Sequence, residues 1–182
     1  MAATSDTESG IEAVRLSAEA LSEEVAGFAA LLHACVHGGA SVGFILPFEL
    51  DAAEAFWRDR ALSRVNAGQN TLWAARYQER LAGTVQLNHD MMPNQPHRAE
   101  VTKLLVEPSL RHRGIGRALM TALEDHARES GRTLLTLETL AGSGAESFYL
   151  SLGYSVVGVI PGYCRVGNIE TPGDATFMYK AL

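Results

Sequence analysis

The chain has 182 residues, 47% of them apolar, and a formal net charge of −6. At roughly 100–200 residues per domain this is the length of one domain, with enough apolar content for a core that needs no disulfide or metal staple. The acidic balance argues against a nucleic-acid partner, and no apolar run reaches the ~18 residues of a membrane span.

Residues 1–10 read as a disordered leader, without the basic start or apolar stretch of a signal peptide, and 11–182 as a single domain. Ile11 to Leu16 alternates and predicts a strand. A helix is expected over 18–36, N-capped by Ser17, with Leu21, Val25, Phe28, Leu32 and Val36 on one stripe. Gly38 and Gly39 end it, within a glycine-rich loop HGGASVGF (37–44). A second helix is expected over 49–65, with Leu50, Ala53, Phe56, Trp57 and Leu62 on its inner side. Segments 71–77 and 83–90 predict strands joined by the turn Gln78–Glu79–Arg80, and 99–108 predicts a third, ended by Pro108. Next comes a helix over 114–129 with Ala118, Leu119, Ala122, Leu123 and Ala127 inward and Gly131 as its stop. A strand over 133–139, a short helix over 144–152 and strands over 155–160 and 175–181 complete the chain. Seven strands interleaved with helices predict an α/β or α+β fold, a mixed sheet with helices on both faces.

The segment VEPSLRHRGIGRALM (106–120) carries the clearest chemistry. A strand ends, a basic glycine-containing turn follows, and a helix opens. The first turn of a helix has unpaired N–H groups and a dipole that favours anions. Gly114 and Gly116 remove Cβ atoms from the approach, while Arg111, Arg113 and Arg117 offer charged donors. Residues 98–117 carry a net +3, leaving −9 for the rest of the chain. A basic island in an acidic chain points to an anionic ligand. The turn fits neither the Walker loop nor the dinucleotide fingerprint.

This turn, between a strand and a helix, resembles motif A of the GNAT superfamily of N-acetyltransferases, [RQ]-x-x-G-x-[GA], and the order of elements from about 12 to 181 resembles that superfamily's too. Four blocks in the same order, 37–44, 98–120, 141–149 and 161–164, are similar to the tabtoxin-resistance branch of the superfamily. The resemblance implies a GNAT-type sheet and acetyl-CoA, as co-substrate, in a gap between two parallel strands, here 99–107 and 133–139. The backbone of Leu104, Leu105 and Val106 would pair with the pantetheine arm. Arg111, His112, Arg113, Gly114, Ile115, Gly116 and Arg117 would wrap the pyrophosphate. Many members carry an asparagine seven residues before the tyrosine of the A-x-x-F-Y motif. Gly142 stands there instead, and the neighbouring Ser143 is the candidate replacement.

Acetyl transfer to an amine needs a proton acceptor for the amine and a donor for the leaving thiolate. By resemblance these are Glu100, with Glu138 as a second carboxylate, and Tyr149. Glu138 would also bind the acceptor ammonium, and His37 in the glycine-rich loop would contact the acceptor. An ordinary reading stands beside each: Glu100 paired with Arg98 or Lys103, Leu104 to Val106 as core, Tyr149 as a core aromatic. His33 and His37 lack the third ligand of a metal site, so no metal is expected. Cys35 and Cys164 read as reduced thiols of a cytoplasmic protein, with a disulfide between them as the alternative. Tyr163 and Cys164 follow Gly162 at the border of the acceptor region.

The expected activity is acetyl transfer to a small-molecule amine: a toxin, an antibiotic or an amino-acid-like acceptor. Toxin resistance is the implied role, and a homodimer is a state that the superfamily commonly adopts. Rival readings are a protein N-terminus or lysine as acceptor, a non-catalytic CoA-binding regulatory module, and nucleotide binding at RHRGIG (111–116).

Overall fold

A computed structural model describes residues 10–182, so the leader expected over 1–10 lies, apart from Gly10, outside the described residues. The elements are β1 (Ile11–Leu16), α1 (Ala18–Glu23), α2 (Val25–His37), α3 (Leu50–Ala55) and α4 (Leu62–Asn66), the last two joined by a π-helical turn, Phe56–Ala61. Then come β2 (Asn70–Tyr77), β3 (Arg80–Asn88), β4 (Arg98–Val106), a 3₁₀ turn at Pro108–Leu110, α5 (Ile115–Glu129), β5 (Leu134–Leu140), α6 (Gly144–Ser151), β6 (Ser155–Arg165) and β7 (Pro172–Ala181). They build one seven-stranded sheet in the order β1-β2-β3-β4-β5-β7-β6. Every neighbouring pair is antiparallel except β4 and β5.

Two apolar layers sandwich the sheet. On one face Ile115, Leu119, Met120, Leu123 and Ala127 of α5 pack on Trp73, Val85, Leu87, Val101 and Leu135. On the other, Leu21, Phe28, Leu32 and Trp57 pack on Leu72, Ala74 and Leu105. The strand alternation sends odd and even positions to opposite layers, which is why both faces are apolar. Gly83 lets α5 close onto the sheet: a Cβ there would stand 2.7 Å from the Leu105 carbonyl oxygen and 3.1 Å from side-chain atoms of Ile115 and Leu119.

Several expectations shift. The helix over 18–36 is two helices, because Glu24 leaves helical geometry (φ −108°, ψ 9°) and pairs its carboxylate with Arg76 on β2. Leu50, expected inward, is 45% exposed, since it starts α3 at the rim while Ala53 and Trp57 turn inward. The β2–β3 turn is the two residues Gln78 and Glu79, at φ 50° and 66°, and Arg80 already belongs to β3. Two positive φ values in a two-residue loop match the right-handed twist of a hairpin. β4 ends at Val106, and Pro108 opens the 3₁₀ turn. β6 runs on past Pro161 and Gly162 through an irregular register between Ile160 and Cys164. An edge strand accepts a proline that a central strand would reject.

Candidate active site

β4 and β5 pair only over Arg98–Glu100 and Leu134–Thr136. Beyond Glu100 the strands part, and from Val101 to Val106 β4 has no strand partner on that side. A cleft of about 790 Å³ fills the gap. Its walls include Leu104, Leu105 and Val106 of β4, Glu138 of β5, the turn before α5, the start of α6, residues 39–43 of the glycine-rich loop and Tyr163–Cys164 of β6.

One end of the cleft is built for negative charge. α5 begins at Gly114, whose φ of 89° only glycine adopts without strain, and no side chain caps the helix. Its first N–H groups are therefore free at a wall formed by Gly114, Ile115, Gly116 and Arg117. Gly116 serves packing as well: a Cβ there would meet the Phe148 ring at 3.3 Å. Arg111 and His112 also line this end. Arg113 does not; its guanidinium lies over the Tyr77 ring, 5.6 Å from the centroid. Arg117 keeps one hydrogen bond to Ser151 Oγ at 3.2 Å.

Ser143 lines the cleft as the N-cap of α6, its hydroxyl accepting from the Glu146 N–H. The Glu146 carboxylate in turn accepts from the Gly142 N–H and the Thr176 hydroxyl, tying α6 to β7. This reciprocal capping fixes the short helix that presents Tyr149. Tyr149 is 7% exposed, lines the cleft and packs against Tyr154 with centroids 5.6 Å apart. Burial raises its pKa well above the ordinary tyrosine value, so its hydroxyl stays protonated.

The other end carries carboxylates. Glu100 is the last residue of the parallel ladder, and Glu138 lies further along β5 on the opposite wall. Glu100 pairs with neither Arg98 nor Lys103. Arg98 bonds Gln95 and Thr136, while Glu100 Oε2 accepts from Asn88 Nδ2 at 3.4 Å. Asn88 is held in turn by Arg64 Nη2, which donates to its Oδ1 at 3.0 Å. Glu138 stands beside the Tyr163 hydroxyl and raises that tyrosine's pKa.

His37 does not line the cleft. Its Nδ1 lies 3.0 Å from the His33 carbonyl oxygen and its ring 4.1 Å from that of His33, so the helix end holds it away from the cleft. Both cysteines are free, and both line the cleft. Cys35 Sγ donates to the Val106 carbonyl at 3.4 Å, and burial pushes its thiol up to about 11, partly opposed by Arg111. Among the described residues no three His, Cys, Asp or Glu side chains gather as a metal site, and no helix is long and apolar enough to cross a membrane. Sequence reasoning missed Asn88 and Lys103, which lines the same end. A lysine among apolar residues in the middle of a strand, TKLLV (102–106), was the available signal.

Residues 43–154 match the family model for the acetyltransferase (GNAT) family, and the chain belongs to that family. Probable N-acetyltransferase 14 of Xenopus tropicalis is 28% identical over 128 residues, 65% of this chain and 60% of that protein. An uncharacterised N-acetyltransferase of Azospirillum brasilense is 30% identical over 105 residues, 57% of this chain and 60% of that one. The matches thus span about 60% of the length of these relatives. The fold is similar to that of a ribosomal-protein-alanine N-acetyltransferase from Brucella melitensis (TM-score 0.77, 19% identity, 94% of this chain and 99% of that one). It is also similar to that of an acetyltransferase from Salmonella typhimurium whose structure holds its cofactor acetyl-CoA (TM-score 0.72, 19% identity, 95% and 94%).

Proposed function

We propose that residues 11–182 act as one domain, an acetyl-CoA-dependent N-acetyltransferase for a small-molecule amine. The observation that carries this reading is the parting of β4 from β5 beside the uncapped start of α5. An unpaired strand edge next to free helix N–H groups suits a ligand with an amide-bearing arm and a pyrophosphate. Leu104, Leu105 and Val106 would hold the arm by their backbone, and Arg111, His112, Gly114, Ile115, Gly116 and Arg117 the phosphates, with Ser143 at the facing wall. Bound acetyl-CoA would supply the activated acetyl group.

The chain's own groups then have three tasks. A free amine is mostly protonated at neutral pH, so Glu100, held by Asn88, takes its proton directly or through water. Glu138 across the cleft holds the ammonium before that transfer. Tyr149 faces the departing sulfur as a donor. A thiol loses its proton near pH 8.5, well below the raised Tyr149, so the hydroxyl stabilises the thiolate chiefly by hydrogen bonding. No enzyme nucleophile is needed, which leaves Cys35 and Cys164 outside the chemistry.

The similarity of four blocks to the tabtoxin-resistance branch favours a toxin, an antibiotic or an amino-acid-like acceptor, and toxin resistance as the role. Loop residues 39–43 over the cleft favour a small acceptor over a protein chain. Free thiols suit a cytoplasmic location. The exposed apolar edge of β6, with Val157 at 69% and Val159 at 50%, suits a homodimer, which light scattering on the purified protein tests.

The test of function is a calorimetric titration with acetyl-CoA, followed by turnover of the Tyr149→Phe variant. Stoichiometric micromolar binding is expected, and kcat falls by roughly tenfold or more while acetyl-CoA affinity stays within about twofold. A folded chain that binds no acetyl-CoA sinks the reading. Equal kcat in the variant removes only the role of Tyr149.

A further inference from the structure

Lys103 is out of step with the strand that carries it. Its φ is 52°, in the left-handed region, at an irregularity in the β3–β4 register where Thr84 faces Leu105 and Gln86 faces Thr102. The extra residue breaks the alternation of β4 and delivers a lysine to the cleft wall. Its Nζ stands over the rings of Phe44 and Phe56, 5.7 Å from each centroid. Among the described residues this half-buried ammonium makes no hydrogen bond, and no carboxylate reaches it within the 4.0 Å of an ion pair. Glu100 and Glu138 act on it only from beyond that distance, and Arg60 on the π-helical turn repels it.

A desolvated cation without an anion is costly to keep, and aromatic faces replace only part of its lost hydration. Backbone strain at the same residue adds to the cost. Such a group persists where a ligand completes it. The phosphate-binding end of the cleft already has Arg111, Arg117 and the start of α5, so the vacant partner of Lys103 belongs to the acceptor.

We infer that Lys103 reads an anionic group on the acceptor, which is therefore a zwitterion carrying a carboxylate or phosphonate beside its amine. The amine is directed to Glu100 and Glu138, and the anion to Lys103 between Phe44 and Phe56. The inference rests on the acetyltransferase reading of this cleft and names the acceptor class within it.

The experiment measures CoA release from acetyl-CoA with matched amines. The probes are the α-amino acids against their decarboxylated amines, and 2-aminoethylphosphonate against ethylamine. The expected result is a kcat/KM at least about tenfold higher for the anion-bearing member of an accepted pair, as a charge-assisted contact allows. In Lys103→Met that preference drops about tenfold through KM, and in Lys103→Arg most of it returns. Equal use of both members by the wild-type chain, which needs no variant to fold, overturns the inference and leaves the acetyltransferase reading standing. A preference that survives in Lys103→Met overturns it as well. So does a loss of acetyl-CoA affinity in Lys103→Met as large as the loss for acceptor, since Lys103 would then serve the donor. No CoA release with any amine in the panel sinks the small-molecule reading, and this inference with it.

Discussion

Two half-buried lysines stand on the strands that flank β5, Lys103 on β4 and Lys180 on β7. Lys180, on β7, donates to Glu124 Oε2 at 2.6 Å and to the Leu152 carbonyl at 2.7 Å, and its Nζ lies 5.5 Å from the Tyr154 ring centroid. Arg128 adds a second cation to the same carboxylate at 3.5 Å. Lys103, in the cleft, has aromatic neighbours and, among the described residues, no anion in ion-pair range. Where a charge only holds the fold together, its partners come from the chain. Where it is left without one, the fold bears a cost that a bound anion would offset, the usual trade between stability and activity.

That contrast breaks or sharpens under mutation. The largest effect is expected at the paired site. Lys180→Met leaves the Glu124 carboxylate, only 8% exposed, without its main partner, and should cost about 3 kcal/mol, a drop of roughly 6–12 °C in Tm. Thermal denaturation followed by circular dichroism measures it. A shift under about 2 °C would mean that Arg128 alone suffices and that the two lysines differ less than their geometry suggests.

A smaller effect separates the arginines before α5. Arg111→Ala and Arg117→Ala should each weaken acetyl-CoA binding several-fold, more at low salt than at high salt, because screening weakens the exposed contacts. Arg113→Ala should change it by less than about twofold, since Arg113 is turned onto Tyr77. Equal losses at all three positions would mean that Arg113 swings in when ligand arrives.

The smallest effect is expected at Lys103. Lys103→Met should leave the stability unchanged or raise it slightly, by under about 1 kcal/mol, because it removes a charge that burial and Arg60 disfavour. The same causes hold the Lys103 pKa below its ordinary 10.5. The penalty is therefore present at all pH values below the folded-state pKa and fades as pH rises towards 10.5. A ¹³C-NMR titration of the reductively methylated protein should find one lysine titrating early. Destabilisation by Lys103→Met comparable with that of Lys180→Met would show a structural partner for Lys103 and undo the contrast.

Much of this was legible because local signals and fold agree. Ser17 caps α1 as its position predicts, and the Pro108–Gly114–Gly116 punctuation marks where β4 gives way to α5. Arg111, His112 and Gly114 to Arg117 at the cleft follow from that one junction, while Leu104 to Val106 are placed there by the family resemblance. What stayed hidden depends on contacts distant in sequence. The break at Glu24 accompanies a bond to Arg76, 52 residues away. Three arginines with similar neighbours are told apart only by which way the turn faces. Lys103 looks like an ordinary strand lysine until the irregular pairing with β3 turns it into the cleft. His37, expected in the glycine-rich loop, closes α2 instead and bonds back onto it, which no spacing rule records.

The parted strands have a mechanical consequence too. Among the described residues, only the stretch Arg98–Glu100 against Leu134–Thr136 stitches β1–β4 to β5–β7–β6 within the sheet. A ligand lodged in the opening would span that seam like a wedge under tension, bonded to both leaves at once. An empty cleft would leave the two leaves free to shift about that short ladder, and an occupied one would hold them together.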